Sequence, residues 1–104
     1  MGRNGAFLGE GRIALLKHID ACGSISKAAK AMKMSYLKAW KLVESMNQTS
    51  HGVLVVKAPG GKGGGGAQLT DAGRKIIALY EQLNARCERF LQKELENLLK
   101  ENPI

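Results

Sequence analysis

Cysteine is scarce in this sequence, with only Cys22 and Cys87 among 104 residues. The two stand far apart in no CxxC spacing, and with only two scattered histidines they form no zinc ligand set. Both read as buried thiols rather than as a disulfide. Long apolar runs are missing as well, which excludes a membrane-spanning helix, and no signal peptide opens the chain. The expected compartment is the cytoplasm. Catalytic signatures are also lacking: there is no G-x-S-x-G elbow and no HExxH. Asp20, Glu44 and Asp71 come from segments without a shared motif, and His18 and His51 read as packing or surface residues. No enzyme is expected, and no cofactor.

Acidic residues are few, nine against sixteen lysines and arginines, for a net charge of +7. The imbalance is uneven. Residues 1–75 hold twelve bases and four acids, giving +8, while residues 76–104 hold four bases and five acids, giving −1. A basic head on a near-neutral tail points to a polyanionic partner for the head and a different task for the tail. A solvated basic face is the plainer reading of the same charge. The length suits one domain.

Met1 to Gly9 shows no period and reads as a loose lead-in. From Glu10 the pattern is helical, with Ile13, Leu16 and Ile19 at three-residue steps and Leu15 widening the stripe. Gly23 stands where a glycine cap belongs, and Ser24 can cap a short helix whose inner face is Ile25, Ala28, Ala29 and Met32. After a short turn, Ser35 can cap a third helix running to about Met46, with Ala39, Val43 and Met46 inward. Val53–Lys57 is β-branched and strand-like, Pro59 ends it, and Ala67–Leu69 is long enough to pair back.

Thr70 offers the next N-cap, with Asp71 well placed in the first turn, and nothing breaks the helix until Asn102-Pro103. Ile76, Tyr80, Leu83, Cys87 and Phe90 follow steps of 4, 3, 4 and 3, and Leu91, Leu95 and Leu98 continue the seam after a one-residue shift. A helix over 71–99 is about 43 Å long at 1.5 Å per residue, longer than the head it leaves. Its apolar stripe therefore calls for a second chain. The expected fold is mainly α with a small β-hairpin: a winged helix-turn-helix head over 1–69, its wing at 53–69, followed by a long dimerisation helix over 70–104.

Glycine is the residue present in excess, thirteen in all, six of them flanking Lys62 in the wing. A phosphate-binding P-loop requires G-x-x-x-x-G-K-[S/T] between a strand and a helix. Here Val56 takes the first glycine's place and Gly63 follows Lys62, so that reading fails. In a winged helix-turn-helix, glycines let the main chain approach phosphates and leave its N–H donors unhindered. On this reading Gly61, Lys62 and Gly63 meet DNA. A loop tip without any DNA contact is the alternative.

The segments "RIALLKHIDACGSISKAAKAMKMSYLKAWKLVESMNQ" and "GGKGGGGAQLTDAG" resemble the N-terminal DNA-binding domain of the ModE family of molybdate-dependent transcriptional regulators, a LysR-type winged helix-turn-helix. The resemblance runs from about Arg12 to Leu99 and rests on "GSIS-x-AA", "SY-x-x-AW", "MNQ" and "GGKGGGGA-x-LT-x-x-G". It implies sequence-specific binding of double-stranded DNA at a palindromic operator, and dimerisation. Regulators of this family continue into domains that bind molybdate or tungstate. This chain leaves no room for a molybdate-binding domain, so oxyanion sensing is not carried over. Met1 and the unstructured end favour a complete product. A full-length molybdate-sensing paralogue is a further candidate partner.

Ser35 and Lys41 are assigned to phosphates, Tyr36 and Lys38 to base edges, and Ser26 and Lys27 to a backbone phosphate near a helix N-terminus. Trp40 suits a buttress as well as a contact. Ile76, Tyr80, Leu83, Cys87, Phe90, Leu91, Leu95 and Leu98 are assigned to the dimer. The competing class is an accessory or protein-interaction subunit that pairs through the long helix without binding DNA itself.

Overall fold

The computed structural model describes residues 9–50, 52–58 and 66–104. Three helices come first: α1 (Glu10–Cys22), α2 (Ile25–Ala31) and α3 (Tyr36–Thr49). Strands β1 (Val55–Ala58) and β2 (Gly66–Leu69) form an antiparallel hairpin, and α4 (Asp71–Glu101) closes the order. This is a winged helix-turn-helix with a long C-terminal helix.

Local chemistry sets the helix ends. Gly23 caps α1 with φ 71°, a left-handed conformation that costs glycine little, and its N–H donates to Ile19 O at 2.8 Å. The hydroxyl oxygens of Ser24, Ser35 and Thr70 accept from the amides of Lys27, Lys38 and Gly73 at 3.1, 3.0 and 3.0 Å. Each satisfies one of the donors that a helix start leaves without an intrahelical partner. Between α2 and α3 the chain reverses at Lys33, a non-glycine residue at φ 58°. Two amide bonds brace it, Lys33 N to Lys30 O at 3.1 Å and Met34 N to Ala29 O at 3.0 Å.

The core gathers Ile13, Leu15, Leu16 and Ile19 of α1, Ala28 and Ala29 of α2, and Ala39, Val43 and Met46 of α3, with Leu54, Val55, Ala67 and Leu69 from the hairpin. Full burial of each large member stabilises by roughly 1.5–3 kcal/mol. Ala28 and Ala29 are small enough for close helix approach, and Ile25 and Met32 flank them half-buried.

β1 starts two residues later than the β-branched run suggests. Leu54 N donates to Asn47 Oδ1 instead of entering the ladder, and Val53 is left half-exposed. Helix α3 runs three residues beyond Met46, where Asn47 turns its amide to the hairpin. The Gly23–Ser24 junction also joins the sheet: Ser24 bridges Gly66, and Ala67 N donates to Gly23 O at 3.0 Å. That bridge fastens the base of the wing to the head.

Helix α4 is anchored at its start. Thr70 Oγ1 donates to Val53 O at 2.6 Å while Thr70 N donates to Leu54 O at 2.9 Å. A Cβ on Gly73 would stand 2.5 Å from Leu54 O, so only glycine permits this approach. Ile76, Ile77 and Tyr80 pack against the head core, and a 2.6 Å ion pair between Lys17 and Glu81 spans α1 and α4. Ile76 and Tyr80 are thus partly covered within the chain itself. Both cysteines are free, but neither is buried: Cys22 is half-buried at the end of α1, and Cys87 is exposed where α4 has left the head. No described helix is long and apolar enough to cross a membrane.

Candidate nucleic-acid interface

Helix α3 turns one face into the core and the other to solvent. With Ala39, Val43 and Met46 inward, the helical period sets Leu37, Lys41, Glu44 and Gln48 on the opposite side. Tyr36, Leu37 and Trp40 are 54%, 58% and 40% exposed, a concentration of apolar surface in the first two turns of one helix. A singly exposed apolar residue is ordinary, but three neighbours at the tip of a helix suggest a contact surface.

Two grooves flank α3. On the wing side, Tyr36, Trp40 and Glu44 face Val55–Ala58 across an open groove of about 330 Å³ that also takes in Ser26 of α2 and Gly66 of β2. On the other side, Ser35, Lys38, Lys41 and Ser45 meet Arg12 of α1 around a groove of about 430 Å³. Trp40 thus lines the groove toward the wing while two-fifths of it remains exposed.

The sequence-assigned residues distribute themselves accordingly. Ser26 and Tyr36 lie in the wing-side groove, and Ser35, Lys38 and Lys41 in the other. Tyr36 and Lys38 therefore sit on opposite flanks of α3, two residues and about 200° apart. The oxygen of Ser35 is engaged as the α3 cap, which leaves its hydroxyl hydrogen free to donate. Lys27 is exposed in the first turn of α2. Gly61, Lys62 and Gly63 lie outside the described residues, as does Pro59.

Arg12, Leu37 and Lys57 belong to the same face and carried no sequence assignment. Lys57 is the exposed base of β1. Leu37 could have been found from the α3 period, since it lies opposite Ala39 and Val43. Arg12 had no such signal, because only the packing of α1 beside α3 brings it there. Among the described residues that line the two grooves, the bases Arg12, Lys38, Lys41 and Lys57 meet a single acid, Glu44.

Comparison with known proteins gives this face a context. The chain is 43% identical over 94 residues to the molybdenum transport protein ModE of Azotobacter vinelandii, covering 90% of this chain and 35% of that protein. It is 54% identical over 72 residues to the DNA-binding transcriptional dual regulator ModE of Escherichia coli K12, covering 69% of this chain and 28% of that one. The chain is a homologue of the ModE regulators. It is also 47% identical over 89 residues to the molybdenum-pterin-binding protein MopB of Rhodobacter capsulatus, covering 86% of this chain and 33% of that protein. The chain spans about a third of the length of these relatives. Among solved structures, ArgP from Mycobacterium tuberculosis superposes with a TM-score of 0.59 at 23% identity, over 86% of this chain and 31% of that one, a likeness of fold. No family model matches the sequence.

Proposed function

We propose that this chain is a transcriptional regulator that binds double-stranded DNA in a sequence-specific manner as a homodimer, with α3 as the recognition helix. The observation that carries the reading is the outward face of α3, where Tyr36, Leu37, Trp40 and Lys41 stand between a basic flank and the wing. Apolar side chains there suit thymine methyls and sugar faces, and lysines and hydroxyls suit phosphates and base edges. The relatives named as transcriptional regulators support the same reading.

On this proposal Ser26 and Lys27 meet a backbone phosphate, and Lys62 with Gly61 and Gly63 reaches the neighbouring backbone or minor groove. The exposed stripe of α4 is covered by a second copy, and a longer molybdate-sensing relative is the second candidate for that role. DNA binding by these residues needs no oxyanion, because the whole proposed contact face lies on the head.

Titration of the chain onto a palindromic duplex at several salt concentrations, with and without molybdate, tests the proposal. Affinity should fall by about 0.9 log unit per phosphate neutralised for each log unit of salt, and binding should not require molybdate. Binding that is absent, or indifferent to salt, refutes it in favour of an interaction subunit.

A further inference from the structure

The groove between α1 and α3 has a composition that DNA steering alone does not require. Its wall carries Arg12, Lys38 and Lys41 with Ser35 and Ser45 beside the apolar Leu37 and Leu42, and no carboxylate among the described residues. By contrast, the groove between α1 and α4 sets Glu10, Glu81 and Glu88 against Lys17. Among the described residues, neither Arg12, Lys38 nor Lys41 forms an ion pair. Arg12 goes further: its Nη1 is shut away from solvent and donates to no acceptor among the described residues. A desolvated guanidinium nitrogen left without an acceptor is costly, and a turn of the Arg12 side chain toward an anion seated in the groove relieves that cost.

We propose that this groove seats one tetrahedral oxyanion of the phosphate class, gripped by Arg12 and Lys41, with Lys38 completing the cradle. The planar fork of arginine matches two oxygens of such a group, while each lysine acts as a point charge. The positive end of the α3 dipole lies nearby and favours an anion there. This deepens the DNA-binding reading and rests on it for one source of the anion, a phosphodiester of the duplex. Free inorganic phosphate has the same chemistry and is the other source. Arg12 then anchors α1 to the backbone while α3 enters the groove.

The test compares the full chain with Arg12→Gln, Arg12→Lys and Lys41→Gln. Affinity for the duplex is measured by fluorescence anisotropy across salt concentrations, and binding of inorganic phosphate alone by NMR at constant ionic strength, with thermal melts as the check of folding. Arg12→Gln should weaken duplex binding about tenfold or more and lower the salt slope by about 0.9. Arg12→Lys should keep most of the slope but lose affinity.

If phosphate alone shifts the Ser35, Lys38 and Lys41 resonances in the wild type and not in Arg12→Gln, the seat stands with a free oxyanion as its ligand, even if no duplex binds. If the wild type binds DNA steeply while a folded Arg12→Gln keeps both slope and affinity and phosphate binds nowhere, the seat is overturned and the DNA-binding reading survives. If Arg12→Gln fails to fold, Lys41→Gln decides by the same slope, and an unchanged slope with no phosphate shift overturns the proposal.

Discussion

Asn47 shows how one side chain can hold a recognition helix to its wing. Its Nδ2 donates to Val55 O at 3.1 Å, and its Oδ1 accepts from Leu54 N at 2.9 Å and Val55 N at 3.2 Å. Both ends of the amide are used, so an aspartate could satisfy only the acceptor side. Asn47→Ala should remove three partly buried bonds and cost about 2–3 kcal/mol, lowering the melting temperature by about 10 °C or more. Asn47→Asp should fall between the two. Differential scanning calorimetry checks both, and a melting temperature within two or three degrees of wild type for Asn47→Ala would mean that the hairpin is held by its apolar side chains alone. The motif "MNQ" was visible in the sequence, but what its asparagine does was not, because its partners lie seven and eight residues further along the chain.

At the scale of elements, α4 divides into two parts. Its first three turns seal the head through Ile76, Ile77 and Tyr80, and the remainder projects Leu83, Phe90, Leu91, Leu95 and Leu98 at 52–65% exposure. Leu79 and Leu99 widen this surface at 46% and 40%. From Ile76 to Leu98 the apolar positions advance by 4, 3, 4, 4, 4 and 3 through Tyr80, Leu83, Cys87, Leu91 and Leu95. That mean of about 3.67 residues per turn favours a nearly straight or slightly right-handed pairing over a left-handed coiled coil. Combined replacement of Leu83 and Phe90 by aspartate should give a monomer in analytical ultracentrifugation. Because neither side chain packs against the head core, the head should still fold, with its melting temperature lowered only by the loss of the dimer's stabilisation. A surviving dimer would move the interface elsewhere.

For the whole molecule, the proposal joins two copies of one basic face through a long rod. The molecule measures 61 Å along its longest axis and 28 and 23 Å across, so the rod dominates its shape. A two-fold pair of such molecules predicts a palindromic site with half-sites about 34 Å apart, or a multiple of that turn. Hydroxyl-radical footprinting on a bound duplex reads this directly: two protected segments with two-fold symmetry are expected, and one continuous asymmetric footprint would exclude the paired arrangement.

Much of this architecture was legible from local chemistry. Gly23, Ser24, Ser35 and Thr70 announce the helix ends because a cap depends on only three or four neighbouring residues. The inward faces of α1, α2 and α3 follow from the helical period. The length of α4 follows from the lack of any breaker before Pro103. What is decided only in three dimensions depends on residues distant in sequence. The sheet bridge from Ser24 to Gly66, the clamp of Asn47 on Leu54 and Val55, and the split of Ile76 and Tyr80 from the rest of the α4 stripe are of this kind. So is the union of Arg12 with Lys38 and Lys41: twenty-six residues separate Arg12 from Lys38, and no periodicity reaches that far. Only the packing of one helix against another brings these charges to a common groove.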